Sequence, residues 1–426
     1  MIGGGFAGVT AARESALRGA ETLLLEARDR LGGRTWTAPW DDREIELGGG
    51  WVHWHQPFTW SEIVKAELSV SVSDAAEQTG WYVDGIRHEG TAEERDAIAD
   101  RGWRAFVDGV DAALPEPHDP LTRIERLSGF DRLTIAQRVD QLDLTGEERA
   151  VLWAELESLA HGPLTEAGAV SVLRWHGLSG YSLELTQFTG GRVTLDAGTR
   201  GLLEAIASGA DFQTRLATPV AAVRQTAGAV EVETRGGERV EARAVIVAVP
   251  LNVVGAIEFD PPLSAGKRNA VALGQASRGI KIFIRANGPE RHQNSIRPGH
   301  PFGYLATEWL DGGGDQVLIG FGMDAEACDP GDLDAVQRQL DDIVPGYQVR
   351  DATAHDWLAD EFAQGTWAIH RPGWYTTFHA EMRRPEDRVV LAGSDIANGW
   401  SGFIDGAIES GFRGSRLALD RARARA

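Results

Sequence analysis

Histidine and tryptophan crowd one short stretch, Gly48-Gly49-Gly50-Trp51-Val52-His53-Trp54-His55-Gln56-Pro57, and two chemistries would use them. His53 and His55 are two apart, so on an extended segment both imidazoles face one way, as in a metal site. Alternatively the aromatic side chains rim a substrate pocket. A mononuclear metal centre needs further ligands, and neither an H-E-x-x-H pair nor clustered acids lie nearby, so no metal is expected. Glycines do not bind metal; lacking Cβ, they let the backbone lie against something flat or highly charged. His55 stands as a candidate pocket residue, and a structural role fits it equally well.

The start of the chain says what the flat or charged partner is. Gly3, Gly5 and Gly8, with Phe6 and Ala7 between them, fit G-x-G-x-x-G. A helix-like run follows from Val9 to Leu17, then an apolar strand-like run from Thr22 to Leu25 that ends in Glu26. In a dinucleotide-binding βαβ unit the first glycine makes the turn and the second admits the pyrophosphate. The third lets helix and strand pack closely, and the helix N-terminus faces the phosphates. An acid about 20 residues on binds ribose hydroxyls, which is the place of Glu26. Only Met1 and Ile2 precede the glycines. The strand that should lead into the loop is therefore expected to be missing, through a late start or a clipped chain, to the detriment of stability and cofactor affinity.

Three further segments follow in order. Glu26-Ala27-Arg28-Asp29-Arg30-Leu31-Gly32-Gly33-Arg34 is followed by Glu46-Leu47-Gly48-Gly49. Gly190–Ala207 reads as a glycine turn before a helix, and a hairpin comes next: Val230 and Val232 alternate with acids, Gly236-Gly237 turns, and Val245–Val249 is a buried strand closed by Pro250. Near the C-terminus the strand Val389–Ala392 turns at Gly393-Ser394-Asp395 and enters a helix near Gly402, with small residues at Gly402, Gly406 and Ser410 on one face. In these segments the chain resembles the flavin-containing amine oxidase family, which includes monoamine oxidases, and looks most like its bacterial nicotine- and pseudooxynicotine-type members. The resemblance implies FAD. It places Ala27, Arg28, Gly33 and Arg34 along the phosphates and ribityl chain, Gly49, Gly50 and Trp51 beside the isoalloxazine ring, and the backbone of Val220 at the adenine. Gly393, Ser394, Asp395, Ser401, Gly402, Phe403 and Ile404 hold the flavin in that pattern, with Asp395 a shorter acid where glutamate is usual.

The same resemblance implies the chemistry. Lys281, in a strand of alternating apolar residues that points it inward, matches a lysine that holds a water near flavin N5. Trp367 and Phe403 match the two aromatic walls between which an amine is aligned, their ring faces suiting the amine nitrogen. Thr366 stands where monoamine oxidases carry the cysteine bonded to the flavin, and Cys328 lies far from it, so FAD is expected to be bound noncovalently. Trp175, His176 and Tyr181, in "RWHGLSGYS", resemble pocket segments of nicotine-type members. The implied reaction is hydride transfer from the α-carbon of a small secondary or aromatic-bearing amine to flavin N5. Hydrolysis of the imine to a carbonyl compound follows, with reoxidation by O2 to hydrogen peroxide. Three alternatives stay open: an L-amino-acid oxidase, disfavoured because no arginine falls in "GGGWVHW"; an amine dehydrogenase with a protein electron acceptor; and a noncatalytic FAD-binding protein.

These residues must be positioned by an α/β architecture, a Rossmann-like FAD-binding domain interleaved with an α+β substrate-binding domain, as in amine oxidases and p-hydroxybenzoate hydroxylase. The first is expected from 1–60, 190–260 and 385–426, the second from 61–189 and 261–384. Helix-like runs cover Ala92–Asp111 and Ile135–Leu142, strand-like ones Ile280–Ile284 and Val317–Phe321, and the proline-rich 114–120 reads as a loop. The 426 residues are enough for two cores, with 42% hydrophobic and 25% charged residues, ordinary for a globular protein. A net charge of −21 argues against nucleic acid and anionic membrane as partners, and one cysteine against a disulfide framework. No apolar run reaches membrane-spanning length and no signal peptide is seen, so the expected location is the cytoplasm. The expected partners are a small amine and O2 or another acceptor; a homodimer is compatible.

Overall fold

A computed structural model describes residues 1–188, 191, 193–226 and 228–423; the glycine turn expected at Gly190 lies outside them. Short strands build a parallel sheet in which Leu23–Leu25 pairs with the exposed, polar Gln213–Arg215 and the fully buried Val245–Val247 pairs with the fully buried Val389–Leu391. Between these two pairs lies the chain start. Ile2 bridges Leu25 on one side and Val247 on the other, both in parallel. The Ile2 N–H donates to Ile246 O and its carbonyl accepts from Ala248 N, while Met1 O accepts from Leu25 N and Gly3 N donates to Leu25 O. Where the lead-in strand was expected to be missing, an isolated bridge at Ile2, flanked by the bonds of Met1 and Gly3 to Leu25, thus ties the chain start into the sheet. In a parallel ladder alternate residues bond to opposite neighbours, so three residues suffice to join two edges.

The helix Phe6–Leu17 and the C-terminal helix Ile404–Arg423 pack against each other and against this sheet. Small residues allow the approach: a Cβ on Gly411 would meet Ala7 O at 2.6 Å, and Gly414 lies over Ala392 and Ile246. The hairpin of Val230–Thr234 and Arg239–Ala242 forms antiparallel and extends to Val220–Gln225. Val230 and Val232 are buried while Glu231 and Glu233 face Arg224 and Arg239, the alternation of a half-buried strand. The helix Pro57–Lys65 buries Ile63 in the core of Phe6 and Val9, and Val70–Val72 pairs with Val193–Leu195. The chain thus stays packed against the dinucleotide-motif elements through Val72.

The second body is a seven-stranded sheet, ordered Gln348–Ala354, Ile280–Asn287, Asp315–Gly322, Tyr304–Gly312, Gln293–Ile296, Gln78–Val83 and Ile86–Gly90. Its pairs are antiparallel except for Gln293–Ile296 beside Gln78–Val83. Helices Ala92–Val107, Gly146–Ala160 and Ala169–Leu178 contribute the largest core, around Trp103, Phe106 and Leu152. The single run expected over Ala92–Asp111 is broken at Asp108-Gly109. Gly109 takes a φ of 81°, which a helix cannot accommodate, and a short helix Val110–Ala113 restarts beyond it. Helix Ile135–Asp140 begins at a capping box of Thr134 and Gln137, and 114–120 lies outside helix and strand. Among the described residues no helix is long and apolar enough to cross a membrane.

Candidate active site

One cavity is lined by residues of both bodies. Where it meets the parallel sheet it is lined by Gly3, Gly5, Phe6, Ala7, Glu26, Ala27, Arg28 and Val220. Gly33, Arg34, Gly393 and Ser394 continue the wall. Where it meets the seven-stranded sheet Lys281, Tyr304 and Phe321 appear, together with Gly49, Gly50, Trp51, Trp175, Trp367, Gly402, Phe403 and Ile404.

The side toward the parallel sheet is built from bare backbone. The helix Phe6–Leu17 starts at Gly5 with no side-chain cap, so its first N–H groups open on the cavity without an acceptor from a capping side chain. Gly5 and Gly32 form a parallel bridge, and a Cβ on Gly33 would stand 3.3 Å from Gly5 Cα. Two glycine loops therefore face each other at close range, most tightly at Gly33. Gly8 sits off the cavity beneath Gly3, whose carbonyl oxygen a Cβ there would meet at 1.8 Å; it serves helix-to-loop packing. Glu26 closes the loop, accepting from Gly4 N at 2.5 Å and from Arg28 N at 2.8 Å. An uncapped helix end, glycine loops and a terminal acid fit a dinucleotide's diphosphate and ribose.

The arginines are tied to residues far along the chain. Arg28 donates to Asp360 at 2.6 Å, and His355 shares that carboxylate at 2.8 Å. Burial opposes ionisation of Asp360, yet these two bonds hold it well below the usual carboxylate range. Arg34 donates to Thr366 O at 2.6 Å, to Ser394 Oγ at 3.1 Å and to the Asp395 carboxylate. Asp395, expected along the ribityl chain, is not at the cavity wall. It is 3% exposed and also accepts from Leu251 N at 2.8 Å, so its short side chain is used behind the wall. Ser401 likewise turns inward, 3.4 Å from His370 Nε2.

At the other side of the cavity Lys281 donates to Gly48 O at 3.0 Å and lies over the rings of Trp51 and Phe283. Burial lowers its ammonium to about 8, against the pull of Glu308 and Glu46. Trp367 donates its indole N–H to Leu159 O at 3.0 Å, and its ring stacks on His161 at 4.2 Å between centroids and 5° between planes. Phe403 is met edge-on by Trp175 and by Trp400, each at 5.2 Å. Both aromatic walls thus have a second ring holding them.

His161 escaped the sequence reading. It ends helix Gly146–Ala160 in the left-handed region, with φ 50°, and lines the cavity. Its Nε2 lies 3.0 Å from Ile280 O, and a carbonyl only accepts, so Nε2 carries the proton. Nδ1, 3.0 Å from Thr366 Oγ1, then accepts that hydroxyl's proton. Burial lowers the imidazole to about 4, so the ring is neutral. The only sequence signal for it was a histidine followed by glycine and proline at a helix end.

Of the residues expected in the pocket, only Trp175 reaches the cavity. His176 follows it by 100° around the same helix and bonds Thr186 Oγ1 at 2.9 Å, while the Tyr181 hydroxyl donates to Leu114 O at 2.5 Å. His55 is also off the cavity, packed against Trp400 at 5.3 Å and His53 at 5.4 Å. Gly48 to Trp51 touch the cavity; beyond Trp51, which bridges Thr194, the chain turns away. Among the described residues no three His, Cys, Asp or Glu side chains converge as a metal site.

The family model described as "Flavin containing amine oxidoreductase" matches residues 6–419. The chain is 36% identical to pseudooxynicotine dehydrogenase of Pseudomonas sp, over 96% of this chain and 84% of that one. It is 33% identical to nicotine dehydrogenase of Pseudomonas putida (strain DSM 28022 / S16), over 98% and 87%, and 29% to (S)-6-hydroxynicotine oxidase of Paenarthrobacter nicotinovorans, over 96% of each. The fold matches that of putrescine oxidase bound to putrescine, with a TM-score of 0.81 at 21% identity over 98% of each chain. A cavity of glycine loops, tethered arginines and paired aromatic walls, under a family match that spans nearly the whole sequence, makes this chain a member of the flavin-containing amine oxidoreductases.

Proposed function

We propose that the protein binds FAD noncovalently and oxidises a small secondary or aromatic-bearing amine to an imine, which water hydrolyses to a carbonyl compound. When bound, the flavin supplies the hydride acceptor. The glycine loops, Glu26 and the uncapped helix would hold the diphosphate and ribose; Arg28, Gly33, Arg34, Gly393 and Ser394 would hold the chain leading to the ring, and Gly49, Gly50 and Trp51 its flat face. The observation that carries the reading is the pair of aromatic walls, Trp367 and Phe403, on one cavity with buried Lys281.

The chain's own residues select the substrate. Leu159, His161, Trp175, Tyr304 and Phe321 line the cavity with Trp367 and Phe403, and Lys281 adds a charge. Of the lining arginines, Arg34 is taken by Thr366, Ser394 and Asp395, Arg28 by Asp360 and Arg235 by Glu361. Among the described lining residues no free guanidinium is offered to a carboxylate, which favours a simple amine over an amino acid. The Lys281 ammonium repels a second cation, so the amine binds neutral. Noncovalent attachment is supported by Thr366, whose hydroxyl is engaged by His161, and by Cys328, which is buried in the core of the seven-stranded sheet.

The proposed acceptor is O2, giving hydrogen peroxide, with Lys281 as the proton-holding group. A second reading, a protein acceptor, is favoured by the names of two relatives, both dehydrogenases. One experiment tests all of this: acid precipitation of yellow protein, then anaerobic addition of amines and amino acids, then admission of air. Yellow in the supernatant, bleaching by secondary and aryl-alkyl amines alone, and recolouring with peroxide are the expected results. Colour in the pellet refutes noncovalent binding, bleaching by amino acids refutes the substrate class, and recolouring only after a redox protein is added replaces O2 as the acceptor.

A further inference from the structure

Phe403 enters the cavity from the loop Asn398–Gly402, and two successive residues of that loop are held from opposite sides. Arg174, 1% exposed, donates through Nη2 to the carbonyls of Asn398 at 2.5 Å and Gly399 at 2.8 Å. Its Nη1 donates to the Tyr375 hydroxyl at 2.9 Å, and its guanidinium lies over the Tyr375 ring. Glu409, in the C-terminal helix, accepts through one oxygen from the N–H groups of the same two residues, both at 2.8 Å. A cation therefore takes both carbonyls and an anion takes both amides. The neighbour of Arg174 in its helix, Trp175, meets the Phe403 ring edge-on.

Burying a guanidinium against neutral acceptors is expensive in desolvation, and stability alone is served as well by apolar side chains of similar volume. What the charge adds is direction. Charge-assisted bonds are the stronger and more sharply aimed kind, and here they act on the backbone of Asn398 and Gly399, just ahead of the aromatic wall Phe403. We infer that Arg174 and Glu409 are positioning residues that hold loop 398–402, and through it Phe403, at the spacing an amine needs opposite Trp367. The inference rests on the amine-oxidising reading for its kinetic consequence, and on the loop alone for its structural one.

The test uses FAD-loaded full-length protein with Arg174→Lys, Arg174→Ala and Glu409→Gln. Anaerobic flavin reduction is followed against amine concentration, per flavin bound, and amide hydrogen exchange is followed in the peptide covering 397–403. Misplacing a wall by about 1 Å lowers reaction by roughly 10²-fold. Arg174→Ala is therefore expected to cut the second-order rate of reduction by about that factor, with Arg174→Lys in between and added guanidinium restoring part of the loss. Glu409→Gln is expected to speed exchange at the loop and to shift the same kinetic parameter, with less than additive loss when combined with Arg174→Lys. Variants that melt earlier but match wild type in rate per flavin and in loop exchange overturn the proposal. If Arg174→Ala does not fold, Glu409→Gln alone decides. Wild-type protein that no amine bleaches defeats the functional reading; unchanged exchange in Glu409→Gln defeats the clamp.

Discussion

Lys281 and His161 are both buried beside the cavity, and burial sets the charge of each. Removing an ammonium or imidazolium from water penalises the charged form, which brings Lys281 to about 8 and His161 to about 4. Lys281 can therefore hold or release a proton near neutrality, whereas His161 stays neutral and keeps its two bonds. Lys281→Met is expected to slow recolouring in air by about 10²-fold or more, the scale of a positioned proton donor or acceptor, while anaerobic bleaching by amine changes far less. Equal slowing of both steps would remove Lys281 from the acceptor half of the reaction. For His161, the unfolded imidazole takes its proton near 6.5 and the folded one near 4, so the unfolded state binds the proton first as pH falls. Stability from this site is whole above about 6.5 and declines toward 4, by about 3 kcal/mol at the full shift. His161→Phe keeps a ring against Trp367 but cannot titrate. The stability gap between the two proteins, from urea unfolding at pH 7 and pH 4.5, is expected to change in favour of the variant at the lower pH; a constant gap refutes the buried neutral imidazole.

At the scale of elements, the cavity depends on how closely helices approach loops. Gly8 lets the helix Phe6–Leu17 lie against Gly3, and Gly406 lets the C-terminal helix lie against Trp400 O, which a Cβ would meet at 2.1 Å. Neither neighbour is a flexible side chain that could step aside. Gly8→Ala is expected to push the helix off the glycine loop, destabilise the fold by about 2 kcal/mol or more, and lower the flavin-to-protein absorbance ratio of purified protein. Retention of full flavin with an unchanged melting temperature would mean that the helix tolerates the shift. Arg34 joins three elements in one side chain, the segment after Gly33, Thr366 and the turn at Ser394-Asp395. Removing it leaves Asp395 buried without its cation, so Arg34→Ala should cost about 3 kcal/mol or more, read in urea unfolding of flavin-free protein; a change below 1 kcal/mol would show that the ion pair is dispensable.

For the whole molecule, the cavity is shared by segments from both bodies, from Gly3 at the start to Ala407 in the C-terminal helix. A ligand that binds only the assembled form stabilises by mass action, about 2.7 kcal/mol at a hundredfold excess over its dissociation constant. Flavin-depleted protein should therefore melt several degrees higher when FAD is added, with one transition that moves as a unit. Two transitions, of which FAD moves only one, would show that the bodies unfold independently and that the cavity does not couple them.

The glycine-loop side of the cavity was legible along the chain because its geometry is local. Gly3, Gly5 and Glu26 act through a turn, a helix end and a strand end within one βαβ unit, and the backbone demand for glycine leaves a mark in composition at fixed spacing. Lys281, Trp367 and Phe403 were found by resemblance, since nothing in their immediate neighbours distinguishes them from core residues; the fold brings them onto one cavity. His176, Tyr181 and His55 show the limit. Their segments run beside the cavity, but helical phase and a turn of the chain aim them elsewhere. Three other facts were decided only by tertiary structure: that Ile2 bridges Leu25 and Val247, that Asp395 answers Arg34 across 361 positions, and that Arg174 and Glu409 grip one loop. Hydrogen bonds and packing between residues hundreds of positions apart obey distance and direction in space, and those are set only when the chain has folded.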